Sequence, residues 1–216
     1  AGATPLVALV SSAHPHEAGV QADLVHTYVK YGAKPDGILN EGRPLATALE
    51  FWYPEAFEAL LKAGAQLKNL VFASAAGRVD LLTTMLDAES LTPYISAYGE
   101  RLMERDEIIA LAFVKACLCG QLDAVKFFLQ RGIDVNVTVK HNRTGLHESA
   151  WRGQLAVVDY LLEHGADASL PCEQFDSMPV QWAHVNRHQA VFDRLLPYSP
   201  LTVAIAAQFG KFNSVK

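Results

Sequence analysis

The chain reads as an all-α solenoid of about six to seven stacked helix–turn–helix repeats. Three observations lead there. Gly132 in Gln-Arg-Gly-Ile-Asp and Gly165 in Glu-His-Gly-Ala-Asp are 33 residues apart, as are Gly120 and Gly153, each of which opens Gly-Gln-Leu. A fixed period of that length marks one supersecondary unit stacked on copies of itself, because a single unit cannot bury its own apolar face. Leu155, Val157, Val158, Leu161 and Leu162 approximate the i, i+3, i+4, i+7 spacing of one buried helical face. Gly165 follows where a left-handed C-cap favours glycine, and His164 in the last turn suits the helix dipole. Composition agrees: 50% of residues are hydrophobic and 19% charged, enough for a continuous core and a poor fit to disorder.

The block Thr144-Gly-Leu-His-Glu-Ser-Ala-Trp-Arg-Gly-Gln-Leu-Ala-Val-Val-Asp-Tyr-Leu-Leu-Glu-His-Gly-Ala-Asp167 resembles the ankyrin repeat, with Gly145 where that family usually has proline. The resemblance implies a short first helix after a Thr-Pro-Leu turn, a mid-repeat glycine, a second helix carrying Val-Val-x-x-Leu-Leu, and a Gly-Ala-Asp close. It also implies a curved array whose concave face is made by the first helices and the fingers between repeats.

Laid along the chain, the pattern gives a single domain over 1–216 with repeats near 4–36, 42–68, 69–89, 108–137, 144–170, 178–198 and 199–216. The first runs from Thr4-Pro-Leu6 to Tyr31-Gly-Ala33 and carries about seven extra residues. The second opens at Pro44-Leu-Ala-Thr-Ala-Leu and closes at Leu60-Leu-Lys-Ala-Gly-Ala65; Trp52 replaces its mid-repeat glycine and Pro54 starts its second helix. The third spans Val71 to Leu86. Next comes an insertion at 90–106, since Gly77 and Gly120 are 43 apart; an extra helical turn or an extended loop would fit it. In the fourth repeat the first helix lies near Ile109 to Cys119 and the second runs from Leu122 to Gly132. The sixth starts at Met178-Pro-Val-Gln-Trp-Ala183. A seventh, Leu201 to Gly210, stops inside its second helix, favouring truncation or an atypical cap. Leu196-Pro-Tyr-Ser-Pro-Leu201 leaves no room for a finger, and Ser199 before Pro200 fits an N-cap.

Net charge is −5 and no basic run occurs, which disfavours a nucleic-acid partner. No apolar run approaches the roughly 18 residues of a membrane span. The first ten residues lack a basic n-region, and the absence of an initiator methionine points to a processed start that leaves a removed signal open. Cys117, Cys119 and Cys172 are an odd set without regular spacing, which favours a reducing, cytoplasmic setting.

Neither a metal nor another cofactor is expected, and no catalytic residue. Cys117 and Cys119 lack the companion ligands of a zinc site; Cys117 falls where ankyrin repeats place a small core alanine, and Cys119 on the exposed side. His14-Pro-His-Glu17 has metal-ligand residue types, yet Pro15 breaks the helical face and a solvated loop is the favoured reading. His147 aligns with the family histidine that bonds the backbone across the turn. The other repeats carry Ala46, Val71, Val114 and Gln181 there. Neither a Gly-x-Ser-x-Gly elbow, a phosphate loop nor a His-Glu-x-x-His occurs.

By the resemblance, the two positions before each mid-repeat glycine project onto the concave face: Trp151 and Arg152, Leu118 and Cys119, Val185 and Asn186, Glu50 and Phe51, Gln208 and Phe209. Trp beside Arg is a composition enriched in interface hot spots, although Trp151 packing on its neighbour's helix fits equally well. The finger Lys140-His141-Asn142-Arg143 adds donors and positive charge, either to steer an acidic partner or as a solvated turn. Phe175 and the Met-Pro-Val-Gln-Trp-Ala stretch resemble a finger variant of bacterial ankyrin proteins, which hints at a bacterial source. The expected function is non-catalytic protein binding on the concave face; the alternative is a regulatory or targeting domain of a longer or enzyme-associated protein.

Overall fold

The computed structural model describes residues 4–199 apart from 100, 103, 174 and 175, with the backbone alone at 101 and 102. The elements are helix pairs in chain order: α1 (Pro5–Ser11), α2 (Ala13–Glu17), α3 (Gln21–Lys30), α4 (Arg43–Glu50), α5 (Pro54–Lys62), α6 (Leu70–Ala75), α7 (Val79–Leu86), α8 (Arg105–Leu118), α9 (Leu122–Gln130), α10 (Gly145–Arg152), α11 (Leu155–Glu163), α12 (Pro179–Val185) and α13 (Gln189–Leu195). Two short antiparallel hairpins interrupt them, β1 (Tyr94–Ile95) with β2 (Arg101–Leu102) and β3 (Thr138–Val139) with β4 (Arg143–Thr144). The fold is an all-α helical solenoid. The described residues form two compact units, one up to Ala73 with Thr83–Ile108, the other Ser74–Leu82 with the residues from Ile109 on.

In the N-terminal unit the Thr4 hydroxyl accepts the Val7 N–H at 3.2 Å and Pro5 occupies the first turn, so α1 starts where its sequence dictates. The extra residues of the first repeat form α2 instead of the expected loop. His14 and Glu17 are exposed on that turn, and His16 lies on the Tyr53 ring, centroids 4.4 Å apart. Gln21 is buried and its amide donates to the carbonyls of Leu9 and Ser12 at 3.1 and 3.3 Å, tying α3 to the end of α1. Trp52 adopts φ 55°, the left-handed conformation that glycine takes elsewhere, and Pro54 begins α5. The 90–106 insertion adds an extra helical turn only at its end, where α8 begins at Arg105; the rest is not an extended loop. That part carries the β1–β2 hairpin, in register Tyr94 opposite Leu102, closed by Gly99 N–H to Ser96 C=O at 2.9 Å. Tyr94 anchors it: its ring meets Phe72 edge-on at 5.7 Å and its hydroxyl donates to Glu50 Oε1 at 2.7 Å.

In the C-terminal unit α9, α11 and α13 bury the same three register positions: Ala124, Val125, Phe128; Val157, Val158, Leu161; and Val191, Phe192, Leu195. Each large aliphatic side chain so buried contributes roughly 1.5–3 kcal/mol. The stripe is narrower than the five-residue one expected, for Leu155 is exposed and Leu162 half-buried. Helix α8 is 14 residues long and starts at Arg105, earlier than Ile109, with Asp106 and Glu107 in the first turn where the helix dipole favours carboxylates.

A side-chain ladder links these repeats. The Gln121 amide donates to the Ala75 carbonyl at 3.2 Å, the Gln154 amide to Leu118 at 3.4 Å, and His188 Nε2–H to Trp151 at 3.0 Å. Each reaches back over a mid-repeat glycine, where a Cβ would sit 2.4 Å from Gln121 Oε1 at Gly77, 2.3 Å from Gln154 Oε1 at Gly120 and 2.5 Å from His188 Nδ1 at Gly153. These glycines therefore answer two demands, a φ near 70° and room for the neighbour's side chain. The Gly-Gln-Leu repeat is the sequence trace of this ladder.

Candidate partner-binding surface

The surface around α10 is built from its N-cap outward. The Thr144 hydroxyl accepts the His147 N–H at 3.4 Å, while His147 Nδ1 accepts the Thr144 N–H at 3.3 Å. The opposite ring nitrogen, Nε2–H, donates to the Ser177 carbonyl of the next finger at 3.2 Å. His147 is fully buried, and burial holds it neutral by lowering its pKa to about 4. Gln181 does half of this work one repeat on, its Oε1 accepting the Met178 N–H at 2.8 Å.

Gly145, the departure from the family proline, faces the α8 side chains: a Cβ there would lie 2.7 Å from Cys117 Sγ and 3.2 Å from Phe113 Cε1. Cys117 is fully buried, which pushes its thiol pKa well up and makes it an inert core residue. Beside it stands Glu148, 5% exposed, whose Oε1 receives the Arg143 guanidinium at 2.8 Å. Arg152, one turn further along α10, is half-buried. Burial lowers its pKa to about 10, against the opposing pull of Glu148 and Cys119. It stays a cation at neutral pH.

Trp151 is half-buried, with its ring 5.2 Å from Trp182 of α12 at 68° and the Arg152 guanidinium 5.8 Å from its own centroid. Packing on the neighbour's helix and partial exposure of the residue thus coexist. Val185 is 71% exposed, and the Asn186 amide caps α12 through the Trp182 carbonyl at 2.9 Å. Cys119 is half-buried. Leu118 is not a surface residue: at 4% exposure it belongs to the core, although Val185 at the same register is 71% exposed, so the burial comes from what packs over it and not from its place on the helix. Lys140, His141 and Asn142 form an exposed turn between β3 and β4, and the Asn142 amide donates to Glu173 of the next finger at 2.9 Å. In the N-terminal unit Glu50 is half-buried against Tyr94 and Phe51 is 39% exposed. Phe175, Gln208, Phe209 and the seventh repeat lie outside the described residues, as does Pro200 of the proposed helix start.

Among the described residues no group of three or more His, Cys, Asp and Glu side chains could hold a metal ion. Nor is any described helix long and apolar enough to cross a membrane.

The model of ankyrin repeats in three copies matches residues 70–172 and 113–203, well over half of the chain. The chain belongs to the ankyrin-repeat family. Ankyrin repeats are generally protein–protein interaction modules, and the family is generally non-catalytic. This ankyrin-repeat protein is 30% identical over 92 residues to the serine/threonine-protein kinase TNNI3K of Mus musculus, covering 38% of this chain and 11% of that protein. It is 46% identical over 55 residues to myotrophin of Xenopus tropicalis, covering 26% of this chain and 47% of that protein. It is 28% identical over 120 residues to palmitoyltransferase ZDHHC17 of Homo sapiens, covering 53% and 19%. The ankyrin-repeat chain spans less than half the length of each of these relatives.

Proposed function

We propose that this chain is a non-catalytic scaffold that binds another protein on its concave face, through Trp151 and Arg152 ringed by Cys119, Val185, Asn186 and the finger residues Lys140, His141 and Arg143. The observation that carries this reading is Trp151, its indole braced by Trp182 at 5.2 Å, the residue only half-buried, with Arg152 beside it. Trp and Arg dominate binding hot spots because they bury large areas from few rotamers and pair well when desolvated. The cations of the finger and of Arg152 favour an acidic stretch in the partner. Binding by a braced surface loses little further conformational entropy.

Affinity capture from the native cell with wild type and the Trp151→Ala/Arg152→Ala double variant tests the proposal. The double variant is expected to lose the partners that wild type retains; equal capture by both sinks it. A second reading, a regulatory or targeting region of an enzyme, draws support from the kinase and palmitoyltransferase matches, which cover 11% and 19% of those proteins. A catalytic domain encoded in the same reading frame would favour it.

A further inference from the structure

The N-terminal unit carries an exposed aromatic cluster of its own. Phe51, at the end of α4, lies 6.4 Å from Tyr53 at 22° and 6.2 Å from Tyr98 at 43°. Tyr98 sits at the tip of the β1–β2 hairpin and is 73% exposed. The rings come from separate segments, and each is held. Arg43 donates from Nε and Nη2 to the Ala97 carbonyl at 3.3 and 3.2 Å, pinning the hairpin tip. Tyr94, 2% exposed, fastens the hairpin stem to Glu50. On the far side His16 lies on Tyr53 and within 3.8 Å of Glu55. A fixed cluster with two exposed rings, Phe51 and Tyr98, beside the half-buried Tyr53 marks an interaction surface, since a monomer gains nothing by holding such rings in water.

Charge says what would cover it. The N-terminal unit, residues 1–73 and 83–108, carries 13 acidic and 7 basic side chains, whereas the remaining residues carry 10 acidic and 11 basic. Glu50 is the neighbour of Phe51 in α4, and Glu55 is 64% exposed at the start of α5. Arg43, bonded to the Ala97 carbonyl, keeps its positive charge, and Glu50 and Glu55 outnumber it two to one. Aromatic faces attract guanidinium and ammonium groups, and flanking carboxylates reinforce the attraction.

We propose that Phe51, Tyr53 and Tyr98 form a platform that docks an Arg/Lys-rich segment of a partner protein, with Glu50 and Glu55 as the counter-charges. This rests on the protein-binding reading and adds to it a second surface and the chemistry of its ligand. The test titrates the full chain into two fluorescein-labelled peptides by anisotropy, one of Arg, Lys and Gly, the other with every Arg and Lys replaced by Glu. The Arg/Lys peptide binds and the Glu peptide does not. Phe51→Ala and Tyr98→Ala each weaken binding by about tenfold, Glu55→Gln by about threefold, and added salt weakens it further. Tyr98→Ala is the decisive variant, because so exposed a side chain can be removed with the thermal unfolding midpoint unchanged. Wild-type affinity in a folded Tyr98→Ala, equal binding of the Glu peptide, or no binding of the Arg/Lys peptide would each overturn the proposal. Trp151→Ala/Arg152→Ala leaves the peptide affinity unchanged. If that double variant also keeps its cellular partners while peptide binding still needs Tyr98, the Trp151 surface fails and the platform stands.

Discussion

The C-terminal unit repeats one joint three times, whereas the N-terminal unit lacks that joint altogether. Gln121, Gln154 and His188 each cross a mid-repeat glycine to a carbonyl of the preceding first helix. In the N-terminal unit the same register holds Val20 and Tyr53, which cannot make that amide-type bond. It shares a finger bond with the C-terminal unit, Asp36 Oδ1 accepting the Gln66 N–H at 2.9 Å as Asn136 Oδ1 accepts the Asp167 N–H at 2.8 Å, and adds Lys68 on Asp36 at 3.0 Å and the Tyr94 hairpin anchor. Regular spacing persists where a side chain must meet a fixed carbonyl one repeat away. Where that joint is missing, extra residues and a tryptophan at φ 55° are accommodated.

The largest expected difference between the two regions is their response to acid. His147 has a pKa of about 4 when folded against an ordinary value of 6.5. Between those values the unfolded chain binds a proton that the folded chain refuses. Stability is therefore intact above pH 6.5 and lost as pH falls toward 4, by up to about 3 kcal/mol. The N-terminal unit has Ala46 at this register, so the loss should be regional. Amide exchange at pH 5 against pH 7.5 should show protection falling around 138–185 and holding at 43–62. Uniform loss, or the same pH slope in His147→Gln, would break the assignment.

A smaller effect concerns Gly145. Proline stands at this register in Pro5, Pro44 and Pro179, but at Gly145 a Cβ meets Cys117 Sγ at 2.7 Å. Gly145→Pro should destabilise by about 2 kcal/mol in denaturant unfolding, through overpacking. Adding Cys117→Ala should restore about half of that. Additive losses in the double variant would show that the sulfur is not the obstacle.

The finest comparison uses two glycines with matched backbones. Gly120 at φ 70° is crowded by Gln154, while Gly19 at φ 68° has nothing within 4 Å of a built Cβ. Gly19→Ala should cost about 1 kcal/mol, the left-handed strain alone. Gly120→Ala should cost about 1 kcal/mol more, for the lost Gln154 bond. Equal losses would remove the ladder from the account of why the glycine period is kept.

Much of the fold was legible because its signals are local or periodic. Apolar spacing within nine residues marks α11, the Thr4-Pro5 start marks the beginning of α1, and the glycine period marks the stack. The role of His147 as a backbone clamp was legible through the ankyrin resemblance. The hairpin at 94–102 was not, since its two-residue strands carry no pattern and its anchors, Arg43 to Ala97 and Tyr94 to Glu50, join residues 54 and 44 positions apart. The burial of Leu118 was not legible because the same register leaves Val185 71% exposed, and no local pattern tells which of the two is covered by a neighbour. Tyr98 was missed for the same reason as its hairpin.

By itself, then, the sequence determined that this protein is a stack of ankyrin helix pairs and where most of its helices begin and end. Helix formation and capping depend on residues within a turn or two, and a repeated period needs no knowledge of the partner repeat. Only the tertiary structure decided which side chains stay in water: Trp151 braced by Trp182 but only half-buried, Leu118 withdrawn, and Phe51 joined by a tyrosine from an insertion. Exposure is set by whatever packs above a residue, and here that cover comes from about thirty to fifty positions away along the chain.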